Sequence, residues 1–81
     1  MKEVFVKKYW DEEDVLFYLH FRNGEAIRQV EITPNGNFFL SLENPVSGES
    51  MLYDQSLNDL DLQKSDYITE AEFNKAWNSL E

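Results

Sequence analysis

The sequence predicts an α+β fold, a four- to five-stranded antiparallel meander sheet with a C-terminal helix packed on one face. Three observations predict it. Residues 2–43 are apolar runs rich in β-branched and aromatic side chains. The turns joining them are too short for any neighbours but antiparallel ones. The last dozen residues change to a helical period. At 81 residues there is room for a single domain. An apolar share of 42% with 15% aromatics separates the chain from disordered polyelectrolytes, which are poor in rings.

Taken in order, residues 2–10 (KEVFVKKYW) read as a strand, ended by the acidic run Asp11, Glu12, Glu13 and Asp14, which reads as a loop. Residues 15–21 (VLFYLHF) are a continuous apolar run too short for a typical helix, hence a central strand. Asn23-Gly24 is the strongest two-residue hairpin signal, because both positions need positive φ. Residues 26–33 form a third strand, Pro34-Asn35-Gly36 a second turn, and residues 37–43 a fourth strand. The strand order is then 1-2-3-4. Residues 44–67 are acidic and turn-rich, with 51–53 as a short fifth strand or edge segment. From 68 to 81 the chain is helical. Thr69 and Glu72 have capping-box spacing, Ile68 and Phe73 that of a hydrophobic staple, and Phe73, Ala76, Trp77 and Leu80 form one stripe.

Alternation by two puts Val4, Val6, Phe17, Leu19, Phe21, Val30, Ile32, Phe38, Leu40 and Leu42 on one face, expected beneath the helix. The other face carries Phe5, Tyr9, Leu16, Tyr18, His20, Gln29, Glu31 and Phe39, too aromatic to be a plain solvated back. Either residues 44–67 fold over it or it is a dimer or partner surface.

Charge bounds the function. Sixteen acids face seven bases, a formal net charge of −9. Residues 41–81 alone hold nine acids and two bases. Such a field keeps a protein soluble and draws cationic partners, while polyanions such as nucleic acid are disfavoured. No cysteine is present, which fits a reducing cytoplasm and removes thiolate metal sites. The N-terminal segment lacks the layout of a signal peptide and no window suits a membrane span, so a cytoplasmic protein with no membrane partner is expected. His20 is the sole histidine, no nucleophile elbow accompanies it, and Gly24, Gly36 and Gly48 sit in separate turns rather than a phosphate cradle. Nucleophile, base and oxyanion donors cannot be assembled from these residues, so no enzyme and no cofactor is expected. Residues 61–72 align oxygen donors Asp61, Gln63, Ser65 and Glu72 with calcium-loop positions, but the sixth position, where that loop turns on glycine, holds Asp66.

Arg28, Val30, Glu31, Ile32 and Gly36, read as R-x-V-E-I-x-x-x-G, and Ile68 to Trp77, read as I-T-x-x-E-F-x-x-x-W, carry a resemblance. Together they resemble a small bacterial single-domain family of unknown function, similar in kind to immunity proteins that neutralise a co-encoded toxin. Where that pattern has Trp–aromatic–His, this chain has Lys8, Tyr9 and Trp10, so no role tied to those residues carries over. The resemblance implies no established activity; joined to the acidic surface, the immunity-protein lead points to an inhibitor whose partner is a basic protein, such as a toxin with a cationic substrate cleft. Its contacts are expected to be Asp11, Glu12, Glu13, Asp14, Asp54, Asp59 and Asp61, with Tyr9, Tyr18 and Phe39 as aromatic anchors. The alternatives are a solubilising role for the acids, a homodimer paired through the second sheet face, or a calcium-binding domain using 61–72.

Overall fold

The computed structural model describes residues 2–48 and 50–78. Its main sheet has five antiparallel strands, in the order 36–41, 25–33, 15–22, 3–10, 67–68, with one helix contacting them. Strands β1 (Glu3–Trp10), β2 (Val15–Arg22), β3 (Glu25–Thr33) and β4 (Gly36–Ser41) form the expected meander. A short hairpin, β5 (Val46–Ser47) with β6 (Ser50–Met51), forms a separate ladder and lies against β4. The fifth strand of the main sheet is not 51–53 but β7 (Tyr67–Ile68), which pairs with Phe5 and Val6 on the outer edge of β1. Helix α1 (Glu70–Asn78) follows at once. Leu80 lies outside the described residues.

Turn chemistry explains the connections. Asn23 and Gly24 have φ of 53° and 87°, the paired left-handed conformation that a twisted two-residue hairpin requires. At the α1 start, Glu72 N–H donates to Thr69 Oγ1 at 3.1 Å, so the hydroxyl half of the capping box forms. The other half does not: the Glu72 carboxylate turns to Lys7 Nζ at 3.3 Å, where a charged donor replaces the backbone amide.

The face assignment from simple alternation needs correcting. Arg22 pairs with Glu25 and Phe21 with Ala26, but His20 pairs with Arg28, leaving Ile27 as the extra residue of a β-bulge. One inserted residue flips every later side chain of β3. Val30 and Ile32 therefore join Phe5, Tyr18 and Phe39, while Gln29 and Glu31 join Val6, Leu19 and Leu40. The covers are exchanged as well. Helix α1 packs Phe73 and Trp77 on the Phe5, Tyr18, Val30 and Phe39 side. Residues 52–62 pack Leu52, Tyr53, Leu57, Leu60 and Leu62 on the Val6, Leu19, Phe21 and Ala26 side. Both faces are thus occupied, and the second face is unavailable for the dimer considered above.

Polar contacts add to the packing of Leu52 and Tyr53 in holding the 50–53 segment down. Gln29, only 2% exposed, donates from Nε2 to Glu31 Oε2 at 2.6 Å and to the Met51 carbonyl at 3.2 Å. Its Oε1 accepts Tyr53 N–H at 2.8 Å, and Ser50 Oγ donates to Glu31 Oε1 at 3.0 Å. The bulge places these two polar side chains beneath the segment they anchor.

Candidate functional site

The end of the β1–β2 hairpin concentrates exposed charge. Trp10 pairs with Val15, so Asp11, Glu12, Glu13 and Asp14 form the connection and all four are exposed. Asp14 takes φ 55°, a left-handed conformation that Asp tolerates better than most residues. The Tyr9 hydroxyl donates to Asp14 Oδ1 and ties the connection to β1. That bond, with the charges of Asp14 and Asp11, holds the phenol above its ordinary pKa. Among the described residues, Asp11, Glu12 and Glu13 make no salt bridge or side-chain hydrogen bond. The cations nearest along β1 are engaged elsewhere: Lys7 with Glu72, and Lys8 with Asp66 at 3.5 Å and the Asp61 carbonyl at 2.9 Å. Tyr9 and Trp10 are 56% and 47% exposed, so two rings flank three uncompensated carboxylates.

The other candidates do not converge there. Asp54 and Asp59 lie toward the opposite end of the sheet, where Leu57 N–H donates to the Gly24 carbonyl and Ser56 bridges Glu25. The Asp59 carboxylate accepts Ser56 N–H at 3.2 Å and caps the 57–59 turn. Asp61 is exposed beside Lys8, which its carbonyl binds. Tyr18 and Phe39 are half-buried in the helix-side core, Phe39 edge-on to Trp77 at 5.7 Å. Trp10 was not among the anchors expected from sequence, although its place beside the acidic run is visible there.

Of the residues aligned with calcium-loop positions, Glu72 is paired with Lys7. Lys64–Asp66 form a 3-10 turn leading into β7, and Asp66 accepts Gln63 N–H at 2.8 Å. Among the described residues no group of three His, Asp or Glu side chains is arranged to hold a metal ion.

A second cluster binds sheet to helix. His20 is 3% exposed and stacks on Phe5, with ring centroids 4.3 Å apart. Arg28 Nε–H donates to His20 Nδ1 at 2.9 Å, which makes Nδ1 an acceptor and leaves Nε2–H to donate to Glu3 Oε1 at 2.9 Å. Arg28 also lies over Phe73 and Trp77, at 4.7 and 5.2 Å from the ring centroids, and donates to Asn74 Oδ1 at 3.2 Å. The two residue patterns behind the family resemblance therefore meet here, with Arg28, Val30 and Ile32 against Ile68, Phe73 and Trp77. Burial, opposed by the Glu3 hydrogen bond, pushes the imidazole below its ordinary 6.5. The unfolded chain then binds this proton more readily than the folded one, so stability is full above about pH 6.5 and falls as pH drops toward the folded-state pKa. Glu3, held below 4.5 by Arg22 and His20, adds a separate loss at lower pH. Urea titrations at stepped pH are expected to show stability declining as pH falls below about 6.5, a decline that His20→Gln removes. Stability that rises on acidification through this range contradicts the assignment.

No described helix is long and apolar enough to cross a membrane. Compared with known proteins, the chain matches no family model, no curated protein and no solved structure.

Proposed function

We propose that this is a non-enzymatic, cytoplasmic protein-binding module that docks the acidic end of its β1–β2 hairpin onto a cationic protein, in the manner of an immunity protein inhibiting a basic toxin. The observation that carries this reading is the group Asp11, Glu12 and Glu13, exposed, unpaired among the described residues and flanked by half-exposed Tyr9 and Trp10. Exposed carboxylates attract at long range and speed encounter with a basic cleft. Aromatic rings alongside supply contact area at little entropic cost, which carboxylates alone do not. A merely solubilising role would be served by acids dispersed over the surface and gains nothing from adjoining rings.

Charge reversal tests it. The wild-type protein and the triple variant Asp11→Lys, Glu12→Lys, Glu13→Lys are immobilised and challenged with host extract at low and high salt. The expected result is retention of a basic protein by the wild type at low salt, weakened by salt and lost in the triple variant. Equal retention by both proteins would overturn the reading.

A further inference from the structure

The β4 edge differs from the rest of this surface. Strand β4 has a neighbour, β3, on one side only. Thr33 and Gly36 close the turn between them, so Glu31/Phe38 and Gln29/Leu40 are the hydrogen-bonded pairs. Asn37, Phe39 and Ser41 consequently turn their N–H and C=O groups away from β3. The Ser41 N–H fits this alternation, since it donates to the Asn44 carbonyl at 3.0 Å. On this alternation the backbone groups of Asn37 and Phe39 face away from β3, and no turn or loop backbone bond reaches them among the described residues.

Sheet edges are commonly blocked by lysine, proline, bulges or a covering segment. The β1 edge has such blocks: β7 covers it at Phe5 and Val6, and Lys7 and Lys8 follow. Strand β4 carries no lysine, proline or bulge, and β5, although it contacts β4, adds no ladder pairing to its open edge. Its composition is also exceptional for this chain, since residues 32–42 contain no charged side chain in a protein of net charge −9. Leu42, 68% exposed, extends the uncharged surface past the end of the strand.

We propose that β4 pairs antiparallel with β4 of a second copy, forming a two-fold dimer in which one sheet runs through both subunits. Placing Asn37 opposite Phe39 of the second copy puts the two-fold axis at Phe38. Each copy then gives and receives two backbone hydrogen bonds, using only groups left open in the monomer. The occupant follows from charge. Two copies repel wherever their acids face each other, and a two-fold axis at Phe38 lays the neutral stretch on itself, as an isologous interface requires. A cationic partner gains no electrostatic attraction from this stretch. The pairing does not involve Asp11–Asp14 and stands or falls independently of the docking reading above.

Sedimentation equilibrium from about 5 µM to about 1 mM protein, together with amide exchange, tests it. The weight-average mass is expected to rise toward twice that of the monomer, with exchange at Asn37 and Phe39 slowing as concentration rises. Asn37→Pro removes one interchain donor per copy at a position where an edge strand tolerates proline, and is expected to weaken dimerisation about tenfold or more. Asn37→Asp keeps side-chain shape, adds like charge beside the axis, and is expected to weaken the dimer in a salt-dependent way. A wild type that stays monomeric at the highest concentration overturns the proposal. So does a dimer that either variant, still folded by circular dichroism, forms as tightly as the wild type.

Discussion

Phe73→Ala is expected to cost about 3–5 kcal/mol, the usual range for deleting a fully buried aromatic side chain. Phe73 is completely buried, with ring centroids 5.7 Å from Phe5 and from His20 and 6.1 Å from Trp77, and Arg28 lies over its face. A domain of this size has total stability on the order of 4–12 kcal/mol, so the loss is a large share of the whole. The helix it anchors has nine residues, short of the roughly 12–15 that an isolated helix needs in water. Losing Phe73 therefore removes the packing that makes α1 a helix. Thermal unfolding followed by circular dichroism should show a midpoint lowered by roughly 15 °C or more. A shift below about 4 °C with helix content intact would contradict the packing.

The second large effect is on the opposite face. Gln29→Leu is expected to cost about 2–4 kcal/mol, although leucine is the more hydrophobic residue, because it strands buried polar partners. The Tyr53 N–H and the Met51 carbonyl each lose a hydrogen bond, and the nearly buried Glu31 carboxylate keeps only Ser50 as a side-chain donor among the described residues. The loss is directional. The 50–53 segment should exchange its amide protons faster, Tyr53 foremost, while β1 and β2 remain protected. Unchanged exchange at Tyr53 would show that the polar clamp does not hold this segment.

These two effects mark where local sequence was informative. The meander was legible because Asn23-Gly24 and Pro34-Asn35-Gly36 determine their own turns, and α1 because Thr69 and the Phe73, Ala76 and Trp77 stripe announce it. The face under the helix was not legible. Both sides of the sheet are apolar, so alternation alone cannot say which side α1 covers. Nothing in AIRQVEIT signals the bulge at Ile27, and an uninterrupted ladder sends Val30 and Ile32 to the wrong side. Gln29 and Glu31 then look like solvent-facing positions, when their role is to bind the 50–53 segment. The cover formed by Leu52, Tyr53, Leu57, Leu60 and Leu62 has no regular period, so only tertiary packing reveals it. At the candidate site, the acidic run was plain in sequence. That Asp54 and Asp59 lie at the other end of the sheet, and that Tyr18 and Phe39 are occupied by α1, depends on the fold.

If the partner is held at the hairpin end, two charge reversals of equal size at opposite ends of the sheet have unequal effects. One is Asp11→Lys, Glu12→Lys, Glu13→Lys at the hairpin end; the other is Glu25→Lys, Glu43→Lys, Asp54→Lys at the far end of the sheet. The affinity of the cationic partner for each is measured at fixed ionic strength beside the wild type. Binding is expected to be lost with the hairpin variant and only modestly weakened with the far-end variant, by the change in net charge alone. Equal losses in both variants, or a hairpin variant that binds like the wild type, would contradict it.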